Sequence, residues 1–199
     1  MNNKNLTIKE TFASAVQNHQ KNFFKIAENL YKEILKINPN HFGSIFYLGT
    51  LLVQTQRFKL AKSLLYKATQ INPNYAAAHN NLGATLKELG EYQNAINCCQ
   101  KAIKINPNYA DAHYNLGLVF KELREFKKAI SCFKKAIQIH PSYINAHQNL
   151  MEAYEKTNQE RELKSAISNA QTLIKDNSII KLYEGILLSR NEKFVEAKN

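Results

Sequence analysis

Pro39, Pro73, Pro107 and Pro141 stand 34 residues apart. A fixed period of this size marks a chain built from stacked repeats, so it constrains the fold before any local reading. The unit between the prolines is legible too. Ile71-Asn72-Pro73-Asn74-Tyr75 returns as Ile105-Asn106-Pro107-Asn108-Tyr109 and as Ile139-His140-Pro141-Ser142-Tyr143. An Ala-His-x-Asn-Leu run follows each, at Ala78 to Leu82, Ala112 to Leu116 and Ala146 to Leu150.

With the proline at position 32, the repeats span 8–41, 42–75, 76–109, 110–143 and 144–177, with a partial repeat over 178–199. Position 7 holds Leu48, Leu82, Leu116 and Leu150; position 8 holds Gly49, Gly83, Gly117, then Met151 and Gly185. Alanine fills position 20 (Ala27, Ala61, Ala95, Ala129) and position 27 (Ala68, Ala102, Ala136, Ala170). Two antiparallel helices cross closely only where one side is small, which is why Gly and Ala recur at fixed places. This pattern resembles the tetratricopeptide repeat family. The resemblance implies an all-α fold, an α-α solenoid in which helix-turn-helix repeats form a right-handed superhelix. It runs over nearly the whole chain, read as a single solenoid.

Each repeat reads as two amphipathic helices. In 110–143 one apolar face is Ala112, Leu116, Val119 and Phe120, and the other is Phe126, Ala129, Ile130, Phe133, Ala136 and Ile137. The turn between them wants a residue that accepts positive φ. Gly90, Asn22 and Asn158 suit it, whereas Gln56 and Arg124 would cost about 1 kcal/mol each in that geometry. Proline then ends the second helix.

The ends differ in kind. The first repeat has Ser14 and Ala15 at the Leu-Gly positions and a polar first helix with Gln17, Asn18, His19 and Gln20, as expected of a capping repeat. At the other end Leu182, Gly185, Leu188, Phe194 and Ala197 fall on repeat positions, so a second helix is expected to begin there and the natural chain to continue past Asn199. The fifth repeat is worn, with Lys175 for the proline and Leu163 for the alanine.

The start of the chain has no apolar signal core and no stretch is long enough to span a bilayer, so a cytoplasmic protein is expected. Cys98, Cys99 and Cys132 fit no metal spacing, and His79, His113 and His147 recur one repeat apart, too far to converge on an ion. No phosphate loop, nucleophile motif or catalytic carboxylate pair is visible. The chain is therefore read as non-catalytic, with neither metal nor cofactor.

The net charge of +11 raises nucleic acid as a partner. Most clustered lysines lie on the second helices: Lys59, Lys62, Lys67, Lys101, Lys104, Lys127, Lys128, Lys134 and Lys135. The family places those helices on the convex back. First-helix lysines are matched by neighbours, as in Lys87-Glu88, Lys121-Glu122 and Glu155-Lys156. A groove that follows phosphates needs unpaired cations and stacking aromatics, so nucleic-acid binding is disfavoured.

Asn81, Asn115 and Asn149 share position 6, which in this family faces the groove. Asparagine is a mediocre helix former, and nothing mid-helix needs capping. Its amide offers two donors and an acceptor, the complement of an extended polypeptide backbone. The arrangement is similar to the asparagine ladder in the tetratricopeptide superhelix of the O-linked N-acetylglucosamine transferases. Tyr47 stands at the equivalent place in the second repeat, and Phe46, Tyr114 and Leu118 would add apolar contact. An asparagine-rich composition at a tolerant position is the plain alternative. The family's co-chaperone members clamp a terminal carboxylate with cations; here the matching positions hold Phe46, Thr50, Asn81, Asp111 and Asn115, so that mode is not expected. The reading is a scaffold that binds an extended polypeptide in its groove. The rival is the substrate-recruiting arm of a glycosyl- or sulfo-transferase whose catalytic domain lies past residue 199.

Overall fold

A computed structural model describes residues 7–173 and 178–196. The described residues form eleven helices and no strand. The chain divides into two compact units, Met1–Pro107 and Asn108–Asn199. The first unit holds α1 (Ile8–Gln20), α2 (Phe24–Ile37), α3 (Phe42–Gln54), α4 (Phe58–Ile71), α5 (Ala76–Glu88) and α6 (Tyr92–Ile105). The second holds α7 (Ala110–Glu122), α8 (Phe126–Ile139), α9 (Ile144–Lys156), α10 (Glu160–Leu173) and α11 (Ser178–Glu196).

Each repeat is a helix pair closed by the same turn. Asn22, Gln56, Gly90, Arg124 and Asn158 all adopt the left-handed conformation, with φ of 62°, 58°, 75°, 57° and 54°. Gln56 and Arg124 thus keep the geometry despite carrying a Cβ. The turn holds them there: the amide two places past each helix cap donates to the carbonyl five residues back, as in Arg57 to Leu52 at 2.8 Å and Glu125 to Phe120 at 2.8 Å. The second helices α2, α4, α6 and α8 stop two residues short of the prolines.

Position 8 is where the helices of a pair meet. A Cβ on Gly49 would lie 2.9 Å from Leu65, one on Gly83 2.7 Å from the Cys99 sulfur, and one on Gly117 2.6 Å from the Phe133 ring. Those three partners all occupy position 24, so the spacing of glycine and bulky residue within a repeat sets the crossing. The alanines at positions 20 and 27, and Leu163 at position 20 of the fifth repeat, are wholly buried. The first helix is capped by Thr7, whose hydroxyl accepts from the Glu10 amide while the Glu10 carboxylate accepts from the Thr7 amide.

The last helix departs from the repeat plan. α11 runs unbroken through Glu192, where the register would place a turn. A Cβ on Gly185 would meet nothing within 4 Å, so no second helix closes on it among the described residues. Without that packing partner, continuing the hydrogen-bonded helix is the locally favoured course. α11 instead lies against α9 and α10, burying Ile180, Tyr183 and Leu187. Lys175, Ala197 and the side chain of Phe194 lie outside the described residues.

Candidate functional site

Within each unit the first helices of the pairs touch one another. α1 meets α3 and α3 meets α5; α7 meets α9 and α9 meets α11. The second helices do not: α2 and α4, α4 and α6, and α8 and α10 have no such contact among the described residues. Elements that crowd on one side and part on the other give each unit an inner wall of first helices. The outer clefts have matching linings. Tyr66, His79, Leu82, Leu86, Asn94 and Cys98 line the one between α4 and α6, and Lys134, His147, Leu150, Tyr154, Glu162 and Ala166 line the one between α8 and α10.

On the inner wall of the first unit, Asn81 reaches the preceding repeat. Its Nδ2 donates to Thr50 Oγ1 at 3.0 Å, and Thr50 Oγ1 in turn donates to the Phe46 carbonyl at 3.0 Å. Asn80 Nδ2 donates to Asn81 Oδ1 at 3.4 Å. The half-exposed Asn81 amide thus donates once and accepts once, which leaves it one further N–H and a further acceptor site. Phe46 is placed differently from the expectation of groove contact: it is 7% exposed, stacked on Phe42 and met edge-on by Tyr75 at 5.0 Å. A ring one turn from Phe42 and beside Tyr75 finds more apolar surface in those neighbours than in the open groove. Tyr47 is half-buried in a second aromatic group, stacked on Tyr31 at 6.3 Å and edge-on to Phe12 at 5.8 Å. Burial pushes the Tyr31 hydroxyl well above the usual tyrosine range and raises that of Tyr75.

In the second unit Asn149 is the centre of a network. It is 9% exposed; Nδ2 donates to the Asn145 carbonyl at 2.9 Å and to Tyr114 Oη at 3.3 Å, and Oδ1 accepts from Lys121 Nζ at 2.7 Å. Lys121 also pairs with Glu152 at 2.8 Å. Its partner is therefore Glu152 of the next repeat and not the expected Glu122. The other two neighbouring pairs form, Lys87 with Glu88 at 2.6 Å and Lys156 with Glu155 at 4.0 Å. Tyr114 accepts from Asn149 and keeps its own O–H for another partner. Tyr143 donates to Asp111 at 2.7 Å and lies 5.0 Å from the Tyr114 ring. Burial first, then the Asp111 carboxylate, raises the Tyr143 hydroxyl far above its usual range. Asn115 and Leu118 are half-exposed on α7.

The recurring histidines have a role that spacing alone did not reveal. His79 Nε2 lies 2.9 Å from the Pro73 carbonyl and His147 Nε2 2.8 Å from that of Pro141. A carbonyl only accepts, so the proton sits on Nε2, and each ring ties the start of a helix to the preceding turn. The hint was that histidine and proline recur together, six residues apart.

The remaining chemistry is quiet. Burial pushes the Cys98 and Cys132 thiols up to about 11, away from the thiolate. Among the described residues no group of three or more His, Cys, Asp or Glu could hold a metal, and no helix is long and apolar enough to cross a membrane. Several outer lysines are engaged: Lys62 with Glu91 at 2.6 Å, Lys67 with the Pro39 carbonyl at 2.7 Å, and Lys128 with Glu125.

Sequence models of the tetratricopeptide repeat match residues 44–75, 64–97, 85–123 and 110–143. The crystal structure of MamA protein is 31% identical over 83% of this chain and 90% of that one, with a TM-score of 0.72. The chain belongs to the tetratricopeptide repeat family. Its fold is shared with YrrB, described as a tetratricopeptide repeat protein with an unusual peptide-binding site, at 18% identity over 90% of this chain and 92% of that one (TM-score 0.70). The same holds for pilF of Pseudomonas aeruginosa at 18% identity, over 93% of this chain and 84% of that one (TM-score 0.80). No curated protein sequence matches this tetratricopeptide chain.

Proposed function

We propose that this protein is an interaction scaffold, and that each unit offers an inner wall on which an extended polypeptide lies. The observation that carries this reading is the half-exposed polar and apolar mixture on the first helices. Asn81 keeps an N–H and an acceptor site in the first unit; Tyr114 keeps an O–H, beside Asn115 and Leu118, in the second. Donors and acceptors fixed on rigid helices suit backbone amides, and Leu118 and the Tyr114 ring give a side chain somewhere to rest. Asn149 contributes by holding Tyr114 and Lys121 in place, since both its N–H groups are already spent. MamA and YrrB share the fold, and YrrB is described as having a peptide-binding site, which agrees with the proposal.

A few hydrogen bonds of about 1 kcal/mol net each supply only a few kcal/mol, so such binding is expected to be micromolar or weaker. The test is fluorescence anisotropy with a panel of labelled unstructured peptides, comparing the full chain with N81A/N115A and with L118A. Binding about tenfold weaker in the variants, at unchanged helicity, is the expected result. Equal affinity in all three proteins removes the inner-wall reading.

A further inference from the structure

The outer face of the first unit breaks the repeat pattern at one place. Position 19, near the start of each second helix, is exposed in all five complete repeats. It is Asn94, Lys128 and Glu162 in the last three but Ile26 and Leu60 in the first two, 52% and 60% exposed. Packing within a repeat therefore does not call for an apolar residue there, and water penalises one. Phe23 lies one turn before Ile26 on the same stripe of α2, and Ile37 ends that stripe; they are 54% and 72% exposed.

The charge around the stripe is mostly positive. Residues 1–107 hold 13 Lys and Arg against 5 Asp and Glu, a net +8, whereas residues 108–199 hold 14 against 11, a net +3. Four of those five acids are engaged: Glu10 in its cap, Glu28 with Arg57 and Lys32, Glu88 with Lys87, and Glu91 with Lys62. Glu33 is the one acid left on the stripe. Lys21, Lys25, Lys36 and Lys59 are exposed on and beside α2 and α4 and make no ion pair among the described residues.

We propose that this α2–α4 face is where the chain lies on an anionic lipid membrane. Apolar side chains set apart singly among lysines, over two helices, suit a headgroup layer better than a folded partner's knobs. Ile26, Leu60 and Phe23 would enter to the acyl boundary, while the lysine stems lie along it and their amines reach the phosphates. This surface is separate from the inner wall proposed for polypeptides.

Vesicle flotation of the full chain tests it, with vesicles of phosphatidylglycerol and phosphatidylcholine beside vesicles of phosphatidylcholine alone. The chain should float with the anionic vesicles only and leave them when salt is raised to about 0.5 M. I26N/L60N, which copies the polar residue of the third repeat, should bind about tenfold more weakly with unchanged helicity. K25A/K59A keeps the apolar residues and should also lose about tenfold at low salt. No flotation with anionic vesicles, equal flotation with both kinds, or unchanged binding by I26N/L60N would each overturn the proposal. So would binding of polyglutamate in place of vesicles, which would assign the face to an acidic protein.

Discussion

The two units repeat one 34-residue plan but join their repeats by different means. In the first, position 21 of one repeat pairs with position 16 of the next across the outer side: Glu28 with Arg57, and, with the signs exchanged, Lys62 with Glu91. In the second, position 21 is the buried Ile130 and position 16 of the following repeat is Gln159, so no such pair can form. The tie moves to the inner side, where Asn149, Lys121, Glu152 and Tyr114 are linked. The close crossing within a repeat recurs in both units, set at Gly49, Gly83 and Gly117 by glycine against the side chain at position 24. The joint between repeats is free to vary, and stability in such arrays is a sum of these two kinds of contribution.

The largest effect should come from testing the common part. Gly117→Ala places a Cβ 2.6 Å from the buried Phe133 ring and should cost about 1–3 kcal/mol, read by denaturant unfolding. Gly185→Ala at the same repeat position meets nothing and should be neutral or gain up to about 1 kcal/mol from helix propensity. Equal losses at both positions would mean that close packing is not what position 8 supplies.

The joints come next. Arg57 holds the Glu28 carboxyl down at about 2, against an ordinary 4.5, chiefly by its hydrogen bonds. A carboxyl depressed in the folded state stabilises above its unfolded value, and that contribution drains away as pH falls from about 4.5 to about 2. Glu28→Gln should therefore be less stable than the parent by about 1 kcal/mol at neutral pH and equal to it near pH 2. Asn149→Ala should cost about as much at neutral pH, by releasing Lys121 and Tyr114, but without that acid-side convergence. Parallel pH profiles for the two variants would erase the distinction between the joints.

The smallest effect belongs to the turns. Arg124→Gly removes a Cβ from φ 57° and should gain some tenths of a kcal/mol, with Gly90→Ala losing about 1 kcal/mol at φ 75°. Thermal melts of the two variants, moving in opposite directions, would place the same left-handed turn in both units.

Whatever depended on spacing was legible in the sequence. The helix pairs, the alanine contacts and the left-handed turns at Gln56 and Arg124 all follow from position within the repeat. Whatever depended on the next repeat was not. Lys121 passes its sequence neighbour for Glu152, Phe46 turns into Phe42 and Tyr75, and Asn149 spends its amide inside the wall. Glu152 lies 31 residues from Lys121 and Tyr114 35 from Asn149, and local periodicity does not weigh such partners. α11 shows the converse, since the repeat pattern persists there while no second helix closes on Gly185 among the described residues, and the turn it implies does not form.

First helices that touch and second helices that part also give each unit a direction of compliance. Tighter curl would press the touching first helices into one another, which close-packed side chains resist. Straightening instead closes the outer clefts, where second helices do not touch among the described residues. Each unit is thus a one-sided spring, stiff against tighter curl and softer toward straightening. A ligand held on the inner wall would rest on a surface that resists collapsing onto it and yields more readily by opening.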